Sequence, residues 1–445
     1  MQLIAQGHTD IGRARSGNED YFLYDANLGL YVVCDGMGGH ASGEVASKTA
    51  AEAVVEYVRT HRGELDGFDG SASACDRAGS LLRTAIETAS GKVFNMAKGK
   101  AGLHGMGTTC VALLFVKDKV VMGHVGDSRI YLVRNATLHQ LSEDHTYAND
   151  AIRHGMMTPE QAYASRYAEM ITRAVGVQET VVVDTFAFDV LVNDTFLLCS
   201  DGLYGYFEDA AELTGLLSAP TVDSIPHRLV DLANERGGKD NITSLVIRAL
   251  PSAVTAEKEK ARKTLVDDEL SVLRHLDLFM ELTMAELVRV LVSFKVHKFE
   301  AGAEIIKEGA TADRMYVIVA GEVEVTRQGK SIAQLLVGQH FGEMALLDHR
   351  PRTATVRAKT YLRTLELTRE SFNDLMVKDP TLGAKILYKL AQILSIRLED
   401  SMKSAEKETG AHPAVGEPRA PREHRKTMDI TLASPFQRAN AARRR

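Results

Sequence analysis

The sequence predicts an α+β protein made of two folded regions, and three patterns in its 445 residues lead to this fold class. Short apolar runs rich in β-branched residues and bounded by turn residues recur through residues 1–250 and predict strands. Two stretches in the same region, 43–60 and 81–97, have apolar residues at helical spacing. A charged, alanine-rich segment without glycine then precedes a second region with strands of its own.

The elements of the first region follow from these patterns in order along the chain. Its predicted strands are the runs GLYVVCDG, TTCVALLFV, KVVMGHVGDS, RIYLVRN, TFLLCSDG and NITSLVIRAL. Together with the two helical stretches they indicate two sheets flanked by helices.

The second region begins with an amphipathic helical pattern. Its clearest predicted hairpin is MYVIVAGEVEVTRQGKSIAQL, and residues 371–400 predict closing helices. The composition therefore divides the chain into a first domain at 1–251, an exposed helical linker at 252–272, a second domain at 273–402 and a tail at 403–445. The tail is rich in proline, glycine and arginine and is predicted to be disordered, with a basic end.

Composition excludes several classes of function. A net charge of −6 argues against nucleic-acid binding by the chain as a whole. No apolar run approaches the roughly 20 residues of a membrane span, and the first residues lack the pattern of a signal peptide. The four cysteines, Cys34, Cys75, Cys110 and Cys199, are scattered without a CxxC pair. We expect buried reduced thiols and a cytoplasmic protein.

Acidic residues recur where predicted strands end or begin. Asp35 follows an apolar run and precedes three glycines within four positions, Asp201 ends another run, and Asp240 with Asn241 stands just before a third. Asp127 and the pair Glu19 and Asp20 complete this set. A single such aspartate most simply marks a polar turn, but several can converge in space. An oxygen-only ligand set favours Mg²⁺ or Mn²⁺, and the absence of His/Cys clusters at ligand spacing disfavours zinc.

The motifs RARSGNED, CDGMGGH, GMGTTCVALLF, VGDSRIYL, SEDHT, ITRAVG, CSDGLYGY and KDNITSLVI occur in this order. Over residues 1–250 the chain resembles the metal-dependent serine/threonine protein phosphatases of type two C, the PPM family, in their bacterial form. The resemblance implies a sandwich of two antiparallel β-sheets flanked by helices, with a metal centre in a cleft at one end. It also implies a phosphorylated protein as substrate, modified by a serine/threonine kinase.

The resemblance assigns roles to the acidic set. Asp35 would bridge two Mn²⁺ or Mg²⁺ ions and Gly36 would offer its carbonyl. Asp201 and Asp240 would complete one metal site, Asp20 with Glu19 would bind water on the other, and Asp127 would help to form a weaker third site.

Arg15 lies where the family has its phosphate-binding arginine, and a guanidinium matches a phosphoryl group bidentately. The alternative for this residue is a surface salt bridge.

One position departs from the animal members of the family, which have a histidine directly after the Asp-Gly pair, where this chain has Met37. His40 is then a candidate proton donor, with a structural role as the alternative. His145, in the SEDHT motif, is a second histidine near the site motifs. A metal-bound water could donate the proton instead. Residues 145–175 resemble the bacterial flap, which would contact substrate and move. The TPEQA segment within them equally fits an ordinary helix start.

The segment FGEMALLDHRPRTATVRA predicts an anion site in the second region. Gly342 and Glu343 open a short helical stretch, and Arg352 and Thr353 follow within the same segment. An Arg–Glu salt bridge is the alternative. The stretch resembles the phosphate-binding cassette of cyclic nucleotide-binding domains, over residues 273–400, which implies a β-roll. Glu343 would bind the ribose hydroxyl and Arg352 the cyclic phosphate, while Thr353 leaves cAMP and cGMP both open, with a slight preference for cAMP.

These observations predict a phosphatase regulated by a cyclic nucleotide. A stiff linker can transmit a rotation, so we expect nucleotide binding to move the second domain against the flap or the cleft, most simply relieving inhibition. The alternatives are a phosphatase with a docking domain that binds no nucleotide, and a non-catalytic sensor. A transcription factor is disfavoured, because a helix-turn-helix would have to stand where the tail is.

Overall fold

A computed structural model describes residues 1–38, 41–207, 209–252 and 256–409. The chain divides into two compact units. The first comprises Met1–Leu270 and Thr283–Val292, and the second comprises Ser271–Leu282 with the described residues from Ser293 onward.

The first unit alternates strands with helices. Its strands are β1 (Gln2–Asp10), β2 (Asp20–Asp25), β3 (Leu30–Met37), β4 (Gly107–Thr108), β5 (Cys110–Val116), β6 (Lys119–Val125), β7 (Arg129–Arg134), β8 (Thr137–Gln140), β9 (Asp184–Asp189), β10 (Thr195–Cys199) and β11 (Ile242–Leu250). Its helices up to β11 are α1 (Ala41–Thr60), α2 (Ala72–Gly99), α3 (Tyr147–Arg153), α4 (Pro159–Tyr163), α5 (Asp201–Tyr204), α6 (Ala210–Leu217) and α7 (Ile225–Glu235). All the runs predicted as strands in this region form strands, and both helical stretches form helices.

Two antiparallel sheets form the centre of the first unit. One has the strand order β1-β11-β10-β7-β8, and the other has the order β2-β3-β5-β6-β9 with β4 paired to β3. Aromatic rings connect the facing sides: Phe115 lies 5.5 Å from Tyr31 in its own sheet and 5.4 Å from Phe196 in the other, measured between ring centroids. The predicted sandwich is therefore confirmed.

Helices cover the outer faces of the sandwich. Leu30, Val32 and Cys34 of β3 pack in one apolar cluster with residues of α1 and α2. The intervening Tyr31 and Val33 are also buried, so this strand is apolar on both faces. On the other sheet, side chains of α5, α6 and α7 pack against β7, β10 and β11. All four cysteines are buried and free, as predicted.

In the first unit, the longer strands that sequence analysis misses are the edge strands β1, β2, β8 and β9. Their side chains are mostly half-buried, whereas those of β3, β5, β7, β10 and β11 are almost all buried. An edge strand needs fewer apolar residues, because one of its sides faces solvent rather than a neighbouring strand. Edge strands therefore lack the continuous apolar runs that identified the interior ones.

Helix α8 (Ala256–His275) confirms the helical character of the predicted linker. Its first part does not lie free, however. The Arg262 guanidinium donates to Asp189 at 2.6 Å and to the carbonyl oxygen of Val190, and it lies 3.2 Å from an Asp118 oxygen. These ion pairs attach α8 to the end of β9, although most residues of 256–265 are exposed, as the sequence predicts.

Helix α9 (Met284–Val292) also belongs to the first unit, although it falls in the range predicted for the second domain. It packs against β8 and β9. The Arg289 guanidinium lies 4.9 Å from the ring centroid of Phe186 in β9, within the range of a cation–π contact.

The second unit is built on two four-stranded antiparallel sheets. Their strands are β12 (Lys295–Phe299), β13 (Glu304–Ile306), β14 (Arg314–Ala320), β15 (Val323–Arg327), β16 (Lys330–Leu335), β17 (His340–Phe341), β18 (Thr355–Ala358) and β19 (Leu362–Thr368), ordered β12-β19-β14-β17 and β13-β18-β15-β16. Helices α10 (Met344–Leu347), α11 (Arg369–Lys378) and α12 (Pro380–Thr409) complete the unit. Apolar side chains from both sheets share one core, which confirms a β-roll.

Two details of the second unit differ from the sequence analysis. The hairpin is formed by β15 and β16, whereas β14 turns away at Gly321, where φ is +90°, and joins the other sheet. Helix α12 continues to Thr409, past the predicted start of the tail at 403. The remainder of the predicted tail, 410–445, lies outside the described residues. No helix in the described ranges combines the length and apolar character needed to cross a bilayer.

Candidate functional site

The predicted acidic residues meet at one end of the sandwich. Strand β3 ends there, β10 ends there, and β11 begins there beside β10 in antiparallel register. A cleft of about 240 Å³ opens at this end. Its lining includes Arg15, Glu19, Asp35, Gly36, Asp127, Asp201, Asp240 and Asn241. Asp20 is the cross-strand partner of Asp35 and is 5% exposed behind it.

Backbone hydrogen bonds fix Asp35 at the mouth of the sandwich. Its N–H donates to Thr109 Oγ1 at 2.9 Å, and its carbonyl accepts from Thr109 N at 2.8 Å. The next residue, Gly36, donates its N–H to the Glu19 carbonyl at 3.1 Å. A Cβ at Gly36 would lie 2.2 Å from the Gly43 carbonyl oxygen, so only glycine allows this close approach.

Asn241 connects the two halves of the acidic set. Its Oδ1 accepts from the Glu19 backbone N–H at 2.8 Å, and its Nδ2 donates to the carbonyls of Ile11 and Gly17 at 3.0 and 2.9 Å. It therefore positions the loop that carries Glu19 against the start of β11. A Cβ at Gly202 would lie 2.0 Å from the Asn241 carbonyl oxygen, so glycine is required after Asp201 as well.

The carboxylates destabilise one another's charged forms. Burial raises the pKa of Asp127 to about 8, with Asp201 and Asp144 adding to the effect. Burial also raises the pKa of Asp20 to about 7, assisted by Asp201 and Asp240 and opposed by hydrogen bonds from Ser200 and Thr243. Burial and the acidic neighbours of Asp35 raise its pKa well above the usual value. Such a set of oxygen ligands fits divalent cations, whose charge would remove this repulsion.

Arg15 faces the same cleft. Its guanidinium donates to Asp240 Oδ2 at 2.7 Å, and its side chain is half exposed. The hydrogen bond to Asp240 raises the pKa of Arg15 above its usual value. The surface salt bridge considered for this arginine is therefore present, but its partner is a candidate metal ligand inside the cleft.

The two histidines considered as proton donors have different outcomes. His40 lies outside the described residues. His145 is 2% exposed, and both of its ring nitrogens have partners: Nδ1 lies 3.1 Å from the Gly126 N–H and Nε2 lies 3.1 Å from Asp184 Oδ2. His145 therefore does not face the cleft as a free acid.

The predicted flap contains α3 and α4. Thr158 and Gln161 form a reciprocal capping box at the start of α4, which confirms the ordinary helix start. Ala148, Ala151 and Ala162 form a small apolar cluster of their own. Ile171, near the end of this segment, lines the cleft, so the segment lies beside the site.

Supporting residues around the cleft were missed by sequence analysis. Ser200 Oγ donates to Asp20 Oδ2 at 2.6 Å and accepts from the Thr243 N–H at 3.0 Å. Arg129 donates to both oxygens of Asp144 and lies 3.6 Å above the Tyr204 ring. The sequence did contain a signal for this ion pair: Arg129 in the VGDSR motif and Asp144 in the SEDH motif are oppositely charged residues to which no role was assigned.

A second candidate site lies in the β-roll around Arg352. Its guanidinium donates to the carbonyls of Arg314 at 2.7 Å and Gly342 at 3.3 Å, and within the described part of the chain no ion pair of Arg352 is present. Burial is the main cause that lowers the pKa of Arg352, and the charges of Arg314 and Arg369 contribute. Among the described residues, a half-buried cation without an ion pair is suited to binding an anion, and the Arg–Glu salt bridge that was the alternative for this segment is not found there.

The neighbours of Arg352 form the rest of this site. Gly342 has φ of +80°, and a Cβ there would lie 2.7 Å from Arg352 Nη1. Glu343 is 6% exposed and immediately precedes the short helix α10, as the sequence predicts. Thr353 is exposed. Backbone hydrogen bonds of 2.8 Å join Arg352 to Gly309 and Ala310, which fixes the loop after β13 beside the arginine.

Comparison with known proteins assigns a family to each of the two regions. Residues 12–245 match the family model described as Protein phosphatase 2C, and residues 296–379 match the model described as Cyclic nucleotide-binding domain. The chain is 35% identical over 248 residues to the serine/threonine phosphatase stp of Listeria welshimeri, an alignment that covers 55% of this chain and 95% of the relative.

Two further matches concern the protein named PstP. The chain is 34% identical over 246 residues to the serine/threonine protein phosphatase PstP of Mycobacterium tuberculosis, covering 55% of this chain and 45% of that protein. A crystal structure of a PstP catalytic domain with two manganese ions is 32% identical, with a TM-score of 0.47, and covers 56% of this chain and 98% of that chain. The chain belongs to the protein phosphatase 2C family. Its first unit is a serine/threonine phosphatase domain, and a cyclic nucleotide-binding domain follows it.

Proposed function

We propose that this chain hydrolyses phosphoserine and phosphothreonine in proteins at a centre of two Mn²⁺ or Mg²⁺ ions, under control of a cyclic nucleotide bound at Arg352. The observation that carries the catalytic part is the convergence of Asp35, Asp201 and Asp240 on one cleft with an arginine beside them. A non-catalytic sensor would not need this set of converging carboxylates.

Asp35, with the Gly36 carbonyl, would bind both ions, Asp201 and Asp240 would complete one site, and Asp20 with Glu19 would position water on the other. When bound, the ions lower the pKa of a water nucleophile and neutralise charge on the phosphoryl oxygens. Asp127 would contribute to a weaker third site.

Arg15 is proposed to bind and orient the phosphoryl group. Its guanidinium is half exposed at the rim of the cleft, and its pairing with Asp240 brings it to the metal ligands. On phosphate binding it exchanges this carboxylate for phosphoryl oxygens, which a guanidinium contacts bidentately. His40 remains the candidate proton donor of the sequence analysis.

The catalytic proposal is tested with a phosphothreonine peptide and Mn²⁺. Asp35→Ala and Asp201→Ala should each reduce phosphate release to background, because removal of a metal-binding carboxylate empties the centre. Full activity in EDTA, or in Asp201→Ala, contradicts the proposal.

For the regulatory part, the half-buried Arg352, which has no ion pair within the described residues, supports binding of a cyclic phosphate, with Glu343 on the ribose. Thr353 is exposed beside it and available to a base, and cAMP is the ligand tested first. The attachment of helix α8 to β9 through Arg262 gives the linker a fixed end on the phosphatase unit. We expect saturating nucleotide to raise activity by relieving inhibition, in a cytoplasmic protein that acts on the products of a serine/threonine kinase.

The regulatory test is phosphatase activity of the full chain titrated with cAMP and, separately, with cGMP. Arg352→Ala should lose both nucleotide binding and the response, while basal phosphatase activity remains. Calorimetry that shows no binding of either nucleotide to the folded protein would favour a docking domain instead.

A further inference from the structure

A partly buried cluster of titratable residues lies next to the turn that carries Asp127. We call it the histidine cluster, and its members are His124, His145, Arg173 and Asp184. Both histidines are buried, with ring centroids 4.5 Å apart. Arg173 donates to Asp184 Oδ1 at 3.0 Å. Nothing in the proposed chemistry uses these four side chains.

Hydrogen bonds determine the tautomer of His145. The Gly126 N–H points at Nδ1, so Nδ1 carries a lone pair and Nε2 carries the proton. Nε2 therefore donates to Asp184, and Arg173 donates to the same carboxylate. Burial alone would raise the pKa of Asp184, but the His145 hydrogen bond and the Arg173 charge outweigh it and lower that pKa below its usual value. The carboxylate is thus charged and orients the ring.

The cluster has the composition of a metal site, since ligand atoms of His124, His145 and Asp184 lie within 4.8 Å of one another. The hydrogen bonds argue against that function. A cation at Nε2 would need the lone pair that the proton occupies, and the other ring nitrogen already accepts from Gly126. The Arg173 guanidinium, 3.2 Å from Nε2, adds a repelling charge.

The contacts of His145 instead converge on Gly126. The His145 backbone N–H donates to the Gly126 carbonyl at 2.8 Å, while its ring accepts from the Gly126 N–H, so one residue binds both sides of this glycine. Gly126 has φ of +103°, and a Cβ there would lie 2.6 Å from Thr109. The turn is therefore enclosed between His145 and Thr109, and the next residue in it is Asp127.

The same histidine joins the turn to the flap. Its carbonyl accepts from the Thr172 N–H at 2.9 Å, and Thr146 pairs with Ile171 in an isolated antiparallel bridge. The two ends of the flap thus meet at His145, and Ile171 lines the cleft beside Asp127.

We propose that His145, oriented by Asp184 and Arg173, is a positioning residue that sets the geometry of Asp127 and hence the affinity of the weaker third cation site. The inference rests on the proposed function in one respect, the assignment of Asp127 as a cation ligand. His145 touches neither substrate nor cation; it acts through the Gly126 turn.

Two substitutions separate the functions of the two ring nitrogens. In His145→Asn the amide oxygen takes the place of Nδ1 and still accepts from Gly126. In His145→Gln the amide nitrogen takes the place of Nε2 and still donates to Asp184, but the Gly126 contact is lost. We expect His145→Gln to weaken Mn²⁺ binding at the third site by about three- to tenfold, the range for loss of one hydrogen bond. His145→Asn should remain within about twofold of the wild type.

The measurement is calorimetric titration of the full chain with Mn²⁺, with Asp127→Asn identifying the third site. If Asp127→Asn binds Mn²⁺ as the wild type does, the third site is absent and the inference falls with it. If Asp127→Asn removes a site that His145→Gln leaves unchanged, the positioning role alone is wrong. Should His145→Gln fail to fold, Asp184→Asn replaces it. This variant keeps the Gly126 contact but removes the charge that orients the ring, and it should weaken the same site by about two- to threefold; wild-type affinity in it overturns the inference.

Discussion

Arg15→Ala tests the phosphate-binding role most directly. The substitution removes a guanidinium from the rim of the cleft without touching the core, because the side chain is half exposed. A hydrogen bond to a charged group contributes about 1.5–3 kcal/mol. The wild type must first release Asp240 at 2.7 Å, and a solvent-exposed ion pair of this kind contributes between 0 and about 1 kcal/mol.

The difference between these two contributions gives an expected loss of about 0.5–3 kcal/mol in transition-state binding. At about 1.36 kcal/mol per factor of ten, kcat/KM should fall roughly 2- to 160-fold. Mn²⁺ affinity should be unchanged or slightly higher, because Asp240 no longer has a competing partner. The loss of activity and the retention of metal then distinguish a phosphate ligand from a residue that supports the metal centre.

The assay is steady-state hydrolysis of a phosphothreonine peptide, with Mn²⁺ binding followed by calorimetry on the same preparations. Arg13→Ala is the matched control, since it removes an exposed arginine two positions away that does not line the cleft. An unchanged kcat/KM in Arg15→Ala, or an equal loss in Arg13→Ala, would refute the assignment.

The remaining predictions concern the nucleotide site, the metal centre and the linker. Gly342→Ala should weaken cyclic nucleotide binding tenfold or more in a fluorescence titration, because its Cβ would displace the Arg352 guanidinium; Gly338→Ala, with φ of +83° and open space around its Cβ, controls for backbone strain. In the absence of metal, thermal stability should fall from pH 6 to pH 8. In the folded chain the pKa values of Asp20 and Asp127 are raised to about 7 and about 8, whereas carboxyl pKa values in the unfolded chain are near 4. Between pH 6 and pH 8 the folded chain therefore binds more protons than the unfolded chain, so stability falls as the pH rises. Mn²⁺ should therefore raise the melting temperature more at pH 8 than at pH 6, and equal shifts would contradict this. Arg262→Ala should speed amide hydrogen exchange in the first part of helix α8, whereas Lys260→Ala, on an exposed side chain of the same helix, should not.

The sequence by itself determined the interior strands and the candidate metal ligands. Strands such as β3 and β11 are buried on both faces, so their sequences are nearly continuous apolar runs. Aspartates at the ends of such runs can converge in space, and the resemblance to the phosphatase family placed Asp35, Asp201 and Asp240 in one site. Likewise Gly342 and Arg352 could be assigned to one segment, because they lie close together in the chain.

Tertiary structure alone decided the contacts between segments far apart in sequence that carry no apolar pattern. The half-buried edge strands had no such run to identify them, and β9 is one of them. Its two ends place Asp184 beside His145 and Asp189 beside Arg262, and both contacts depend on the register of β9 against β6. From the sequence alone, one cannot predict whether a polar side chain hydrogen-bonds to water or to another residue. The fold provides an acidic partner for His145, whereas the partners of Arg352 within the described ranges are backbone carbonyls.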